Sequence, residues 1–426
     1  MSAWGLNVYR AATKLAGGAV FGQLLIKRVE AGKEDPARLP ERRGQASAPR
    51  PDGILIWLHA ASVGESLVAL SLAEGLIERE AGRQVLITSG TATSAQLIAG
   101  RSGSSLRHQY VPADNPAWVR RFLAHWRPDL AVFTESELWP NLILEAKAFG
   151  TALALANARM NEASLRGWRR WPHSAKALLS AFDWIGAADV LTAQGLEYLL
   201  DANVTRTGNV KLEAGLPDPD PQNLEAARAA LGARPVFTAA STHAGEEGIV
   251  IEAHARLLKD RPDALMILAP RHPERAGEVA GLIDRAGLTH VRRSAREAPG
   301  PDTQVWIADT LGEMPLWYAL SPVTVVCGSF LEAIGGHNPI EATQAGSAVV
   351  TGPYAASFAD VYAAYDAAAA RAVARTPDEL ADAVASVWDG SGVSLSAGLR
   401  ALESLPRGAR AATLDALEAL LERRAP

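Results

Sequence analysis

The chain has 426 residues, of which 48% are hydrophobic and 21% are charged. This composition excludes a largely disordered protein, and the length favours roughly two domains over a single hydrophobic core. The net charge of −5 is uneven, because residues 1–50 carry nine Lys and Arg against four Asp and Glu. The remainder is therefore acidic, which argues against nucleic acid as a partner. The single cysteine, Cys327, cannot form an internal disulfide and indicates a reducing compartment.

The basic N-terminal segment, residues 1–50, contains an uncharged apolar stretch at residues 15–26. Twelve residues are too few for a membrane-spanning helix, and no small-residue cleavage site follows to indicate a secretory signal. Trp4 precedes the stretch and Lys27 and Arg28 follow it, a pattern typical of a helix lying in the interface of an anionic membrane leaflet. The alternative is a helix packed on the protein's own surface. We predict that residues 1–50 form a membrane-associating segment and linker.

Short apolar runs alternate with stretches of helical length along the rest of the chain. The runs in the first half are ILIWLH, QVLITS, LAVFT, ALALAN and FDWIGA. After the proline-rich stretch LPDPDPQN, the pattern restarts with PVFTAAS, ALMILAP, TQVWIAD, PVTVVCGS and SAVVTG. Continuous apolar strands alternating with helices predict parallel sheets covered on both faces. We therefore predict two Rossmann-like, doubly wound α/β domains facing a cleft, residues 51–214 and 215–426, with the C-terminal helices as candidates for packing back on the first domain.

The first candidate site lies in the stretch HAASVGES, residues 59–66, where an apolar run ends and a helix-like run begins. Ser62 and Glu65 have the S-x-x-E spacing of a capping box, in which the Glu bonds back to the Ser amide. Gly64 would lie in the first helical turn, where Gly costs up to about 1 kcal/mol relative to Ala. Close approach of a substrate to the backbone would be a reason to keep it. Glu65 is therefore either a helix cap or a catalytic carboxylate.

Three strand-to-helix loops in the second half are candidates for an anion site, because helix N-termini present free N–H groups. The first is ASTHAGEE, residues 240–247. The second, APRHPER, carries Arg271, which could bind a phosphate or form a surface ion pair with Glu274. The third is the glycine-rich CGSFLEAIGGHNPIEA, residues 327–342. Its Glu341 could accept two ribose hydroxyls or only cap the helix. This loop is neither a P-loop nor a GxGxxG fingerprint, which disfavours a Rossmann dehydrogenase.

The motifs together resemble one family. In chain order, HAASVGE, FTESELWPN, TGNVK, STHAGEE, PRHPER, DTLGEMPLWY and GSFLEAIGGHNPIEA are similar to the 3-deoxy-D-manno-octulosonic acid (Kdo) transferases of lipopolysaccharide assembly. The resemblance extends from about Trp4 to Pro353 and implies the two-domain glycosyltransferase B fold. It also implies inverting, metal-independent transfer of Kdo from CMP-Kdo to a lipid A precursor (lipid IV-A), with CMP-Kdo as substrate and no cofactor. The expected location is the cytoplasmic side of the inner membrane, on its lipid surface.

The resemblance assigns roles position by position. Glu65 matches the general base, and Gly64 lies beside it on the acceptor side. Glu135 and Glu137 match an acidic pair beside the acceptor, and Lys211 matches a basic residue that stabilises developing charge. In this scheme residues 51–214 bind the acceptor and residues 215–426 bind the CMP-sugar. The matching CMP-binding positions are Pro270, Arg271, Gly312, Glu313, Met314, Ser329, Asn338, Pro339, Ile340 and Glu341.

Two positions depart from the family pattern. Ser94 stands where a Gly is usual after the second strand, and Ala342 stands where a Pro is usual. The first departure concerns the acceptor side, and neither is the expected base. Two other functions fit the same architecture: a two-domain sugar transferase with a UDP donor, and a non-catalytic nucleotide-binding protein at the membrane in which Glu65 only caps its helix.

Overall fold

The computed structural model describes residues 3–30, 34–213 and 215–423, which divide into two compact units. Unit 1 comprises the described residues of Met1–Ala214 and Pro406–Pro426, and unit 2 comprises Gly215–Leu405. The predicted segment 1–50 and the predicted boundary at residue 214 include positions 1–2, 31–33 and 214, which lie outside the described residues.

Unit 1 contains a seven-stranded parallel sheet with helices on both faces. Its strands are β1 Leu55–Ala60, β2 Gln84–Ser89, β3 Leu106–Tyr110, β4 Leu130–Thr134, β5 Ala152–Ala158, β6 Trp184–Ala187 and β7 Thr205–Arg206. Its helices are α1 Trp4–Leu15, α2 Gly17–Glu30, α3 Leu39–Arg42, α4 Val63–Arg79, α5 Ala92–Ala99, α6 Pro116–Trp126, α7 Pro140–Ala148, α8 Glu162–Arg169, α9 Pro172–Leu179, α10 Val190–Leu200 and, from the C-terminus, α19 Ala409–Glu422. The strand order is β3-β2-β1-β4-β5-β6-β7.

Unit 2 repeats this architecture with a second seven-stranded parallel sheet. Its strands are β8 Val236–Thr242, β9 Leu265–Pro270, β10 His290–Arg292, β11 Val305–Ile307, β12 Val323–Val326, β13 Ala348–Thr351 and β14 Arg371–Val373. Its helices are α11 Pro221–Leu231, α12 Glu246–Asp260, α13 Ala276–Arg285, α14 Met314–Ala319, α15 Ile340–Gln344, α16 Ala359–Ala367, α17 Pro377–Trp388 and α18 Leu395–Ser404. The strand order is β10-β11-β9-β8-β12-β13-β14.

The apolar runs of the sequence are strands buried on both faces. In β1, Leu55 and Trp57 pack into one hydrophobic cluster, while Ile56 and Leu58 pack into another on the opposite face. Successive strand residues point to opposite faces, so a sheet covered on both sides needs a continuous rather than an alternating apolar run. The predicted pair of Rossmann-like, parallel α/β domains is confirmed.

The C-terminal helix α19 packs on the sheet of unit 1. Leu414 and Leu417 belong to the same buried cluster as Ile56 and Leu58. Arg83 forms an ion pair with Glu418. The residues after Leu405 therefore belong to unit 1, and unit 2 ends at Leu405 rather than at residue 426.

The N-terminal helices have one face on the protein and one face in solvent. In α1, Leu6 is buried, and Tyr9 donates a hydrogen bond of 2.9 Å to Asp114 Oδ2. Leu15 and Leu24, by contrast, are 86% and 51% exposed. Among the described residues, no helix has both the length and the apolar composition needed to cross a membrane.

Candidate functional site

The predicted site residues cluster where each sheet reverses its strand order. In unit 1, β1 lies between β2 and β4, and in unit 2, β8 lies between β9 and β12. Loops that leave neighbouring strands in opposite directions open a crevice beyond the carboxyl ends, which is where open parallel sheets bind ligands. Glu65 follows β1 and Glu135 follows β4, while Arg271 follows β9. Each unit therefore carries a candidate site at its switch point.

Ser62 caps α4 as its spacing predicts, but the Glu65 carboxylate bonds back to the Ala61 amide and the Ser62 hydroxyl rather than to the Ser62 amide. Ser62 Oγ accepts from the Glu65 backbone N–H at 3.3 Å and donates to Glu65 Oε1 at 2.7 Å, while Oε2 accepts from the Ala61 N–H at 2.8 Å. Burial raises the pKa of this carboxyl; the hydrogen bonds from Ser62 and Ala61 oppose the rise, and the nearby charges of Glu135 and Glu137 add to it. A carboxylate with a raised pKa is a better proton acceptor, so the cap is also chemically suited to act as a base.

Glu135 occupies a strained backbone position directly after β4. Its φ of +55° lies in the left-handed region, which costs a non-glycine residue roughly 1–3 kcal/mol and is often found at functional sites. Its carboxylate forms an ion pair with Lys211 Nζ. This backbone conformation places the Glu135 carboxylate against the ammonium group of Lys211. We call the group of Glu65, Glu135, Glu137 and Lys211 the carboxylate–lysine cluster.

Lys211 lies on a short 3-10 helix, Val210–Leu212, that is held by side chains on both sides. Asn209 Oδ1 accepts from the Lys211 N–H at 3.0 Å, and Asn157 Oδ1 accepts from the Val210 N–H at 2.9 Å. A Cβ added at Gly64 would lie 3.3 Å from Lys211 Nζ. Gly64 thus leaves room for the lysine, a reason for the glycine that the sequence did not indicate.

Glu137 completes the carboxylate–lysine cluster. Its Oε2 accepts from Trp139 Nε1 at 2.5 Å and lies 3.7 Å from His59 Nε2. Burial raises the pKa of Glu137, but the contacts with His59 and Trp139 outweigh that effect, so the pKa lies below the ordinary value. The lowered pKa keeps the Glu137 carboxylate ionised and suited to accept hydrogen bonds from hydroxyl groups.

The segment before β1 also shapes this site. Glu34 and Arg42 are both buried and form a two-pronged ion pair, with Arg42 Nη2 to Glu34 Oε1 at 2.9 Å. The same Nη2 donates to Gly90 O at 2.7 Å, and a Cβ at Gly90 would lie 3.0 Å from Ala61 O. This part of the predicted N-terminal linker is therefore folded into unit 1 and braces the loop that carries Glu65.

Ser94, the departure on the acceptor side, has a local role. It is fully buried at the start of α5, where its hydroxyl and that of Thr91 lie 2.7 Å apart and its N–H donates to Thr91 Oγ1 at 3.2 Å. The serine therefore reinforces the helix cap after β2 and leaves the carboxylate–lysine cluster untouched.

In unit 2, Glu246 ties together the loops after β8 and β12. The carboxylate is fully buried and accepts three backbone hydrogen bonds: from the His243 N–H at 3.0 Å, the Gly328 N–H at 2.8 Å and the Phe330 N–H at 3.1 Å. Burial raises its pKa against the effect of these three donors. Glu246 thus fixes the shape of the switch-point crevice.

Two histidines from these loops meet at the crevice. His243 Nε2 and His337 Nε2 are 2.8 Å apart, and the rings stack with centroids 5.0 Å apart. Burial lowers both pKa values, that of His337 to about 4. Neighbouring charges lower them further, those of His272 and Arg271 for His243 and those of His243 and Arg271 for His337. Both imidazoles are therefore neutral near pH 7, and the Nε2–H of one ring donates a hydrogen bond to Nε2 of the other.

The predicted CMP-binding residues Pro270 and Arg271 lie at the carboxyl end of β9. Pro270 is the buried last residue of the strand. Arg271 exposes its side chain, while its backbone N–H donates to Thr242 O at 2.9 Å. The backbone of Arg271 is thereby fixed to the neighbouring strand β8, and its guanidinium remains accessible to a ligand.

The predicted residues Gly312, Glu313 and Met314 follow β11 at the same edge of the sheet. Gly312 has a φ of +82°, and Met314 begins α14. Glu313 pairs with Arg293. Burial raises the pKa of Glu313, but the hydrogen bonds from Arg293 and Thr310 outweigh that effect and bring the pKa below its ordinary value. Glu313 is therefore an ionised carboxylate held by its own arginine.

The glycine-rich loop after β12 is held by side-chain hydrogen bonds at both of its ends. Ser329 is fully buried, and its Oγ donates to Val326 O at 2.6 Å and accepts from the Gly352 N–H at 2.7 Å. The Ser329 hydroxyl therefore holds the loop, and the CMP-binding role of Ser329 stays a prediction. Asn338 precedes the N-cap residue Pro339, and its Oδ1 accepts from the Ile340 N–H at 3.2 Å, which fixes the start of α15. Glu341 lies in the first turn of this helix.

Three features of these sites were missing from the residue assignments. His59 belongs to the HAASVGES stretch, and Glu246 and His337 belong to recognised motifs, but none received a role from the sequence. Their partners lie in other loops, so no local spacing indicates them. In the described ranges, 3–30, 34–213 and 215–423, no group of three or more His, Cys, Asp or Glu side chains could hold a metal ion.

The two-unit fold is that of two-domain glycosyltransferases. A solved structure of a glycosyltransferase from Rickettsia africae matches with a TM-score of 0.57, covering 88% of this chain and 100% of that one. Its sequence identity of 11% supports the fold alone.

Sequence comparison defines the family. A family model described as 3-deoxy-D-manno-octulosonic-acid transferase (kdotransferase) matches residues 37–214. The 3-deoxy-D-manno-octulosonic acid transferase of Bordetella pertussis is 37% identical, covering 97% of this chain and 99% of its own length. That of Haemophilus influenzae is 33% identical, covering 91% and 92%. The chain belongs to the 3-deoxy-D-manno-octulosonic acid transferase family, as its motifs predict.

Proposed function

We propose that this protein transfers Kdo from CMP-Kdo to a lipid A precursor, lipid IV-A, in lipopolysaccharide assembly. The observation that carries the proposal is the carboxylate–lysine cluster at the switch point of unit 1, where a buried glutamate with a raised pKa lies beside a Glu–Lys ion pair. Sugar transfer from a nucleotide donor requires a base for the acceptor hydroxyl and fixed charge for the developing oxocarbenium-like centre and the departing phosphate. Family membership indicates that the transferred sugar is Kdo. The carboxylate–lysine cluster contains the groups that the transfer step requires.

In the proposed reaction, Glu65 removes the proton from the acceptor hydroxyl as its oxygen bonds to the anomeric carbon of Kdo. The bond from that carbon to the CMP phosphate breaks, and CMP leaves with the electron pair. Attack opposite the leaving group inverts the anomeric configuration. Both oxygens of Glu65 already accept one hydrogen bond each, and a carboxylate oxygen has a second lone pair for the substrate. Glu137 binds acceptor hydroxyls, and Glu135 holds Lys211 where it stabilises charge.

The donor would bind at the switch point of unit 2. Arg271 offers an exposed, permanently charged guanidinium to a phosphate, and the start of α15 offers the Glu341 carboxylate to ribose hydroxyls. Lys211, Arg271 and backbone N–H groups are the positive groups on which metal-independent transfer would depend.

The CMP-Kdo donor that the family resemblance implies predicts a nucleotide preference. We expect CMP to bind about tenfold or more tightly than UDP, and Arg271→Ala to weaken CMP binding about 10- to 100-fold, because a hydrogen bond to a charged group contributes about 1.5–3 kcal/mol. Isothermal titration calorimetry measures both. Arg285→Ala, an exposed arginine at the last residue of α13, is the matched control and should bind CMP like the wild type. Equal or tighter binding of UDP would favour a UDP-sugar donor instead.

We propose further that the protein works on the cytoplasmic side of the inner membrane, held there by α1 and α2. Trp4, Leu15, Val20, Leu24 and Ile26 are all more than half exposed. Lys14 and Lys27 lie in the same helices. Exposed apolar side chains with basic neighbours suit a helix lying in the interface of an anionic leaflet.

This location predicts vesicle binding that depends on the exposed residues of α2. Val20→Ser with Leu24→Ser should reduce binding to phosphatidylglycerol-containing vesicles by at least about tenfold, because burying one such side chain contributes about 1.5–3 kcal/mol. Flotation with vesicles measures the effect, and the melting temperature should not change because both side chains are exposed. Leu399→Ser, at a 45% exposed leucine of unit 2, is the control. Unchanged flotation of the double variant would place the anchor elsewhere.

A further inference from the structure

His59 is a buried ring with one nitrogen left over. It lies in β1 and is 1% exposed. Its Nδ1 lies 3.0 Å from Thr88 Oγ1 and 3.3 Å from Thr88 O. Its Nε2 has no hydrogen-bond partner among the described residues and lies 3.7 Å from Glu137 Oε2. A buried nitrogen without a hydrogen-bond partner destabilises the fold, so its presence needs an explanation. The group that faces His59 Nε2 is the carboxylate of Glu137, a member of the carboxylate–lysine cluster.

The hydrogen bonds around Thr88 favour a proton on Nε2 of His59. Trp57 Nε1 can only donate, and it lies 2.8 Å from Thr88 Oγ1, so the hydroxyl accepts there. The proton of the hydroxyl is then available for His59 Nδ1, the nearer of the two contacts. A neutral imidazole that accepts at Nδ1 carries its proton on Nε2. Thr88 is fully buried, so solvent does not compete for this arrangement.

We propose that His59 is a positioning residue for Glu137: the chain from Trp57 through Thr88 to His59 presents an N–H that holds the Glu137 carboxylate for the acceptor. This inference rests on the proposed function, in which Glu137 binds acceptor hydroxyls. At 3.7 Å the contact is longer than a hydrogen bond, and such contacts commonly tighten when substrate is bound. The other donor to Oε2, Trp139, is 43% exposed, so His59 is the rigid one of the two.

Two substitutions of His59 distinguish the role of Nδ1 from the role of Nε2. His59→Gln places an amide N–H near the position of Nε2, whereas His59→Asn places its amide near the position of Nδ1 and leaves Glu137 without this donor. We expect His59→Asn to raise the KM for the lipid acceptor about tenfold while the affinity for CMP stays unchanged, and His59→Gln to restore most of the loss. Melting temperatures confirm that both variants fold. Equal losses in both variants would make the ring merely structural and overturn the proposal.

A double-mutant cycle tests whether His59 acts through Glu137. In a Glu137→Gln background, His59→Asn should have little further effect on the acceptor KM, because the group that it positions is already altered. Additive effects of the two substitutions would mean that His59 acts independently of Glu137 and would contradict the inference.

The protonation of His59 gives a readout that does not depend on activity. Nitrogen-15 NMR of histidine-labelled protein distinguishes the two tautomers, and the signals absent from His59→Asn assign the ring among the nine histidines. We expect a proton on Nε2 and a shift of that signal in Glu137→Gln. A proton on Nδ1 alone would overturn the inference, even in a protein that transfers Kdo. If instead the wild type transfers no Kdo while the Nε2 signal responds to Glu137→Gln, the proposed function fails and the His59–Glu137 coupling stands.

Discussion

Glu65→Gln is expected to lower the rate of Kdo transfer by about 10²- to 10⁴-fold, the usual contribution of a general base, with a nearly unchanged melting temperature. The amide is close in shape to the carboxylate. Its oxygen can still accept from the Ala61 N–H, and its NH₂ can donate to Ser62 Oγ in place of the bond that Glu65 now accepts. Initial rates with CMP-Kdo and a tetraacyl lipid A precursor, together with thermal melting, measure both quantities.

The raised pKa of Glu65 adds a signature in pH. Burial, aided by the charges of Glu135 and Glu137, raises the pKa above the ordinary value of 4.5, and the base must be ionised to act. The acid limb of kcat/KM should therefore lie above pH 4.5 and disappear in Glu65→Gln. The stability should change with pH in the opposite direction to the activity. A carboxyl group whose pKa is raised in the folded state stabilises the fold below its unfolded pKa, and this contribution is lost as pH rises through the folded pKa. At pH 8, Glu65→Gln should thus be at least as stable as the wild type.

Ser62→Ala is the matched control for the capping box. It removes the cap hydroxyl and should cost about 1 kcal/mol of stability while keeping the carboxylate and most of the transfer rate. If Glu65→Gln instead melts lower and turns over almost normally, Glu65 is only a cap. The base would then have to be Glu135 or Glu137.

The parts of the structure that the sequence predicts are those fixed by local rules. The S-x-x-E spacing of Ser62 and Glu65 specifies a helix start that Ser62 caps, although the Glu65 carboxylate bonds the Ala61 amide rather than the Ser62 amide. The continuous apolar runs specify strands such as β1 that are buried on both faces, because helices cover both faces of a parallel sheet. Cap and catalyst are compatible readings of Glu65, since the cap orients the carboxylate and burial raises its pKa.

The remainder depends on contacts between distant parts of the chain. Glu246 and Gly328 are separated by 82 positions, and no spacing within either loop indicates that they bond. The apolar face of α19 indicates burial, but its leucines do not specify which sheet they cover. Ser329 follows a glycine after a strand, which is typical of ligand loops, yet its hydroxyl is used within its own loop.

Glu246→Ala is expected to destabilise unit 2 by about 3 kcal/mol or more and to abolish measurable CMP binding. The substitution leaves the N–H groups of His243, Gly328 and Phe330 without their acceptor, and each buried unsatisfied group costs about 1–3 kcal/mol. Without the carboxylate, the loops after β8 and β12 lose the group that joins them. Both loops border the proposed donor site, so binding and stability should fall together.

Denaturant unfolding and CMP titration measure the two effects, with two variants for comparison. Glu246→Gln keeps one acceptor oxygen and should fall between the wild type and Glu246→Ala, because Oε1 and Oε2 accept from different N–H groups. Glu252→Ala, at an exposed position of the same helix α12, should stay within about 0.5 kcal/mol of the wild type. If Glu246→Ala unfolds like the wild type and binds CMP normally, the crevice is held by other contacts. A stable Glu246→Ala that has lost CMP binding would instead make Glu246 a direct ligand of the nucleotide.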